Sequence, residues 1–185
     1  MLKRSFDVVL AALALLLLAL PMLGAALAVW IDSGRPVLFT QWRVGRGGKP
    51  FRLYKFRSMV VDAEARGPQR TAQGDVRITR VGRWLRRTSV DELPQLINVL
   101  RGDMSLVGPR PDLPAQQGDY SAPDWELRCS VRPGLTGLAQ ALYRSRATPQ
   151  QRLQADLDYA RAPGLLRDLR IIGLTVAQLM RKSAN

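Results

Sequence analysis

The chain has no histidine and a single cysteine, Cys129, among its 185 residues. Histidine and cysteine supply many enzymatic bases and nucleophiles, so a catalytic group here is expected to be a carboxylate. A lone cysteine excludes an internal disulfide, and the lack of cysteine and histidine clusters argues against a zinc site. Both absences fit a reducing compartment.

Acidic residues are also scarce, with 15 Asp and Glu against 28 Lys and Arg, which gives a net charge of +13. Such an excess favours anionic partners, whether nucleic acid, anionic lipid or phosphorylated small molecules. The length is that of one ordinary domain, long enough to bury a core.

An uncharged apolar run extends from Val8 to Ile31 after a short basic N-terminus. As one helix the run would reach ~36 Å, enough to cross the hydrocarbon layer. It is too long for the core of a signal peptide and lacks a small-residue cleavage site. The residues fit a kinked spanning helix and a re-entrant helix that turns back near Pro21 and Gly24 equally well. Either way, residues 1–32 are predicted to be a membrane anchor, which favours lipid over nucleic acid as a partner.

Alternating residues before a glycine-rich turn predict a small β-hairpin, with strands near 37–43 and 51–56. The second strand leads into Lys55, Arg57 and the hydroxyl of Ser58. Two cations and a hydroxyl at a strand end suit phosphate oxygens, although a solvated basic strand end has the same composition.

The segment 89–111 contains the best-placed carboxylates, Asp91 and Glu92, at an apparent helix start. Ser89 and Glu92 also fit a helix capping box, so the acids have a structural explanation as well as a catalytic one. The segment ends in Arg110 between Pro109 and Pro111. Two prolines would present the guanidinium rigidly to a phosphate or carboxylate, although a purely structural turn is equally compatible.

Basic amphipathic patterns occur at 77–87 and in two helical stretches after Pro149, and they are typical of helices that lie at a lipid interface. Core packing explains individual residues of these stretches equally well. Asp168, within the last stretch, is predicted to be a surface partner of a nearby arginine.

Together these motifs resemble the bacterial sugar transferase family, the monotopic polyprenyl-phosphate phosphoglycosyl transferases, in the small form that has the catalytic domain alone. The resemblance spans nearly the whole chain in order. It rests on four matching segments: KRSFD (3–7), GRPVLFTQWRVGRGGKPFRLYKFRSM (34–59), GDVRITRVGRWLRRTSVDELPQLINVLRGDMSLVGPRP (74–111) and VRPGLTGLAQ (131–140).

The resemblance implies transfer of a phospho-sugar from a UDP-sugar to polyprenol (undecaprenyl) phosphate, with release of UMP. It implies that Asp91 is the nucleophile that forms a covalent phosphoglycosyl-aspartate, with Glu92 as its partner and both near Mg²⁺. Arg110, with Pro109 and Pro111, would bind phosphate, as would Lys55 and Arg57. After Gly137 the chain departs from the family pattern, which leaves Arg144 a weaker candidate for nucleotide binding.

The expected fold is a mainly helical α/β domain with a small hairpin, interfacial amphipathic helices and a re-entrant helix broken near Pro21. Residues 33–185 would form the catalytic domain, on the cytoplasmic face of the bacterial inner membrane. The expected partners are the UDP-sugar, polyprenol phosphate and membrane lipid, with a homodimer as the one protein partner and no nucleic acid. Two alternatives are a non-catalytic binder of nucleic acid or anionic lipid, and a scaffold that has lost turnover.

Overall fold

The computed structural model describes residues 2–67, 74–143 and 146–183. These residues form a mainly helical fold with two small sheets. The helices and strands, in order, are α1 (Leu2–Leu17), α2 (Ala19–Ser33), β1 (Leu38–Val44), β2 (Pro50–Phe56), α3 (Arg80–Thr88), α4 (Gln95–Arg101), β3 (Ser105–Val107), α5 (Ala122–Cys129), β4 (Gly134–Thr136), α6 (Leu138–Tyr143), α7 (Pro149–Arg161) and α8 (Leu165–Ser183).

The apolar N-terminal run forms two helices, α1 and α2, which meet at a bend of 63°. The helix is interrupted at Leu18, with φ −96° and ψ 6°, three residues before the expected position at Pro21. The displacement has a simple cause: a proline lacks the N–H that would bond the carbonyl four residues earlier, and its ring crowds that carbonyl. Within the described residues no single helix is long and apolar enough to cross a bilayer, whereas this bent pair meets the requirement by length and composition.

The bent pair packs against the rest of the chain on one side only. Ala11 of α1 joins a core cluster with Phe51, Leu96 and Val99, and Ala25 and Val29 of α2 join a second cluster with Phe56 and Leu85. The other side is open, since Leu16, Leu17 and Leu20 expose 74%, 77% and 80% of their surface. A contiguous apolar surface of this kind marks a site of contact with a protein or a membrane.

The predicted hairpin is confirmed. Strands β1 and β2 pair antiparallel from Leu38↔Phe56 to Val44↔Pro50. The turn between them contains Gly47 and Gly48, both at positive φ, a conformation that glycine adopts without steric cost. One face of β2 is buried against α4. This packing fixes the position of Lys55, which lies near the end of β2.

Helices α7 and α8 confirm the two helical patterns predicted for the tail. The expected role of Asp168 is wrong, because the residue is 1% exposed and accepts hydrogen bonds from Lys3 Nζ at 2.5 Å and from the Tyr159 hydroxyl at 2.7 Å. A buried carboxylate needs such partners to offset its lost hydration. The Lys3–Asp168 pair therefore joins the N-terminal end of α1 to the N-terminal end of α8.

Candidate active site

Asp91 and Glu92 lie in a single 3₁₀ turn, Val90–Glu92, between α3 and α4. The predicted helix start at Ser89 is wrong: Ser89 has a left-handed backbone (φ 61°) that ends α3, and its side chain makes no capping bond. Helix α4 begins at Gln95, after Pro94. The capping-box explanation of the two acids is therefore wrong. Both carboxylates project from a tight turn.

Asp91 is buried, with 7% of its surface exposed. Within the described part of the chain, no hydrogen bond or ion pair engages its carboxylate. Burial raises the pKa of Asp91, the positive charge of Lys55 opposes that rise, and the neighbouring Glu92 adds to it. The result is a carboxylate that is weakly solvated and that no described residue binds, a state that favours reaction as a nucleophile.

Glu92 has the opposite environment. Its Oε1 accepts a hydrogen bond from Arg110 Nη2 at 2.8 Å and another from Lys55 Nζ at 3.1 Å. Burial alone would raise the pKa of Glu92, but Arg110 and then Lys55 outweigh it and hold that pKa at about 2. Glu92 is thus a fixed anion that places two cations beside Asp91.

The backbone around Arg110 is held at three successive carbonyls. Gly134 N–H donates to Pro109 O at 2.9 Å, Arg128 to Arg110 O at 2.5 Å, and Arg43 to Pro111 O at 3.1 Å. The first of these bonds extends a parallel β3–β4 pair that the sequence did not predict. The predicted rigid presentation of Arg110 is therefore seen in the backbone, while its side chain stays 41% exposed and open to a ligand.

Arg128 and Arg43 also support this loop, and the sequence did not indicate either. Arg128 is 5% exposed and forms ion pairs with Asp112 and Asp156 at 2.8 and 2.9 Å. Both acids lie far from Arg128 in the chain, so no local motif predicts these ion pairs. The only sequence signal was an excess of arginine, which does not identify individual pairs.

Arg57 lies apart from the Asp91–Glu92 turn. Its Nη2 donates to Ser33 O at 2.6 Å and Gly34 O at 2.8 Å, at the C-terminal end of α2. Its Nε and Nη1 are buried and have no hydrogen-bond partner among the described residues. Arg57 thus joins the end of α2 to the segment that follows β2. The remaining candidate, Arg144, lies outside the described residues.

These groups surround one cavity of about 1370 Å³. Its walls include Lys55, Arg57, Asp91, Glu92 and Arg110, so the structure brings together five of the predicted site residues. Thr136 and Gln140, from the matching segment VRPGLTGLAQ (131–140), line the same cavity.

The acids of the cavity determine whether the expected magnesium ion fits. No group of three or more metal-binding side chains occurs among the residues that the structure describes. Mg²⁺, however, is commonly held by one or two carboxylates together with substrate phosphates. The unpartnered Asp91 fits that role, while Glu92 has one oxygen already bound to two cations. The residues present are compatible with magnesium that enters with a diphosphate substrate.

The site thus combines a buried carboxylate with two cations, an arrangement suited to an anionic ligand. The bacterial sugar transferase family matches residues 1–182 of the chain. The chain therefore belongs to that family and is a transferase, which confirms the resemblance drawn from the motifs.

Three relatives illustrate the match. A UDP-glucose:undecaprenyl-phosphate glucose-1-phosphate transferase of Caulobacter vibrioides is 49% identical, over 96% of this chain and 69% of that protein. A UDP-N-acetylgalactosamine-undecaprenyl-phosphate N-acetylgalactosaminephosphotransferase of Aeromonas hydrophila is 39% identical, over 96% of this chain and 43% of that protein. The exopolysaccharide production protein PSS of Rhizobium leguminosarum bv. phaseoli is 43% identical, over 97% of this chain and 96% of that protein. The chain thus spans nearly all of one relative and less than half of another.

Proposed function

We propose that the chain transfers a sugar 1-phosphate from a UDP-sugar to undecaprenyl phosphate and releases UMP, as the first membrane step of bacterial glycan assembly. The observation that carries the proposal is Asp91, a buried carboxylate that has no hydrogen-bond or ion-pair partner among the described residues and lies beside two cations held by Glu92. The substrates follow from relatives named as acting on UDP-sugars and undecaprenyl phosphate. Those relatives differ in their sugar, so the sugar of this chain is left to experiment.

In the first step, an oxygen of Asp91 attacks the phosphorus next to the sugar. An O–P bond to Asp91 forms, the P–O bond to UMP breaks, and UMP leaves with the bonding electrons. Arg110 and Lys55 are positioned to offset the negative charge of the diphosphate, which would otherwise repel an anionic nucleophile.

In the second step, an oxygen of the lipid phosphate attacks the same phosphorus, and the bond to Asp91 breaks. The carboxylate is regenerated and the product is a polyprenyl-diphosphate sugar. Neither step requires removal of a proton from a neutral nucleophile, so neither needs a general base. That chemistry suits a chain without histidine.

Asp91 and Glu92 are the residues that would hold Mg²⁺, which would supply further neutralisation of the diphosphate. The two acids lie on the same turn, so both reach the same region of the cavity. Lys55 and Arg110 remain on the Glu92 side, where they bind the phosphate oxygens.

The proposed location is the cytoplasmic face of the inner membrane, with α1 and α2 re-entrant. The 63° bend and the exposed leucines around it support this arrangement, because each arm alone is too short to cross a bilayer. A soluble nucleotide sugar and a membrane-embedded lipid phosphate can meet at such a site. The basic amphipathic helices α3 and α8 would lie in the headgroup layer, and the homodimer stays a prediction.

The test is UMP release from a panel of UDP-sugars with undecaprenyl phosphate and Mg²⁺. Asp91→Asn is expected to lower release by about 10³-fold or more, since the nucleophile itself is lost. The exposed Asp119→Asn is the matched control and should retain activity. Mass spectrometry of a quenched reaction should find the phospho-sugar on the peptide that contains Asp91. Finding it on another residue, or an active Asp91→Asn, would overturn the assignment.

A further inference from the structure

The cavity is larger than a usual small-molecule pocket. Typical small-molecule pockets measure roughly 300–1000 Å³, whereas this one measures about 1370 Å³. Its polar part surrounds Asp91, Glu92 and Arg110. The lining also includes residues of α1 and α8, which have no role in the two reaction steps proposed above.

This part of the cavity, here called the α1–α8 lobe, is lined mainly by apolar side chains. Leu10 and Ala14 of α1 and Leu18 at the bend line it at intervals of four residues. Helix α8 contributes the apolar Ile172 and Val176 and the polar Thr175 and Gln178, and Leu96, Leu106 and Leu135 also line the cavity.

The two walls are joined at one end and reach the anchor bend at the other. Lys3 and Asp168 bond the first turns of α1 and α8 to each other. Leu18 lies at the bend between α1 and α2, close in the chain to Leu17 and Leu20, which are 77% and 80% exposed. The lobe therefore connects the exposed apolar surface of the bent pair with the cationic groups around Asp91.

A ligand that fills both parts must have an anionic head and a long apolar tail. We propose that the α1–α8 lobe binds the first isoprene units of the polyprenol phosphate, with its phosphate at Lys55 and Arg110 and the rest of its tail leaving past Leu18. The proposal rests on the function proposed above. From Leu10 to Leu18 the lining stripe is ~12 Å long, so the lobe holds only the proximal part of the tail.

The lobe can be narrowed without touching the polar groups. Ala14→Phe places a ring in the lobe, whereas Ala12→Phe makes the same change on an exposed position of the same helix. Val176→Phe narrows the lobe from the opposite wall, where Val176 is 49% exposed, and Leu174→Phe is its control on α8. The second pair keeps the test available if Ala14→Phe does not fold.

Two reactions test the proposed role of the lobe separately from the proposed function. Exchange of labelled UMP into the UDP-sugar needs no lipid, and it reports the first step alone. Full turnover with undecaprenyl phosphate reports both steps. Ala14→Phe and Val176→Phe are expected to raise the KM for undecaprenyl phosphate about tenfold relative to their controls, with UMP exchange matching that of the controls.

Equal KM values for undecaprenyl phosphate in the lobe variants and their controls would overturn the proposed lipid-binding role of the lobe. The proposed function would be unaffected. Absence of UMP exchange in the unsubstituted protein would instead overturn the function. In that case a polyprenyl phosphate with a photoreactive proximal isoprene still tests the lobe without turnover. Crosslinks to 10–18 and 172–176 are expected, and they should diminish in Ala14→Phe. Crosslinks only elsewhere, or equal competition by phospholipid vesicles, would contradict the assignment.

Discussion

At the scale of single residues, the site depends on two adjacent acids in opposite environments. Asp91 is buried without a partner in the described part of the chain, and Glu92 is bound by two cations. Burial raises the pKa of Asp91, while Arg110 and Lys55 hold the pKa of Glu92 at about 2. Paired groups whose pKa values are pushed apart commonly divide the work of an active site. Here Asp91 would react and Glu92 would organise the charges.

This contrast predicts opposite effects on stability. The pKa of Glu92 is lowered from 4.5 to about 2, so its ionised form stabilises the fold above the ordinary value. That contribution, on the order of 3 kcal/mol, is lost as the pH falls from about 4.5 to about 2. Glu92→Gln should therefore lower the Tm near neutral pH. The difference in Tm between Glu92→Gln and the unsubstituted protein should become smaller as the pH falls. Thermal unfolding in detergent measures this difference.

Asp91→Asn should have the reverse effect. A raised pKa means that the folded state disfavours the ionised carboxylate, so its ionisation costs stability once the pH exceeds the ordinary value of 3.8. Removing the charge should raise the Tm near neutral pH while activity is lost, a common trade-off at active sites. Asp119→Asn, at an exposed position, serves as the reference. A lower Tm for Asp91→Asn would contradict the environment assigned to it.

At the scale of elements, local patterns in the sequence were sufficient for some features and not for others. The hairpin follows from alternation and a glycine turn, and the bent anchor from an apolar run with a proline. The β3–β4 pair was missed, because each strand has only three residues and its partner lies far along the chain. Ser89 was misjudged because its left-handed backbone depends on how α3 ends, which the Ser89–Glu92 spacing does not reveal.

The β3–β4 pair can be tested at Gly134, where the backbones approach too closely for a side chain. A Cβ there would lie 2.1 Å from Gly108 N and 2.2 Å from Thr136 O. Gly134→Ala should lower the free energy of unfolding by about 1–3 kcal/mol. It should also reduce UMP release, since Gly134 N–H holds the carbonyl of Pro109, next to Arg110.

Gly118→Ala provides the matched control, because a Cβ at Gly118 meets no atom within 4 Å. Its effect on the free energy of unfolding is expected to stay within about 0.5 kcal/mol. Denaturant unfolding and UMP release would be measured on both variants. Wild-type stability in Gly134→Ala would show that the two strands are not held as closely as described.

At the scale of the whole molecule, the anchor and the site form one structure. Ala11 and Ala25 place the two anchor helices in separate core clusters, Lys3 joins α1 to α8, and Arg57 bonds the end of α2. The bend at Leu18 therefore fixes how the cavity is oriented relative to the exposed leucines. A change in anchor geometry should alter both topology and access to the cavity.

The topology prediction follows from the cause of the bend. Pro21→Leu restores an N–H that can bond the carbonyl of Leu17, so α1 and α2 should approach one continuous helix long enough to span the bilayer. A single cysteine at Ser5, in a background that lacks the buried Cys129, reports which side holds the N-terminus. A membrane-impermeant thiol reagent applied to spheroplasts should leave it unlabelled when Pro21 is present and label it in Pro21→Leu. Gly24→Leu adds the same side chain where no atom lies within 4 Å and should keep the bend. Labelling from the periplasm with Pro21 in place would show that the anchor spans the membrane instead of re-entering it.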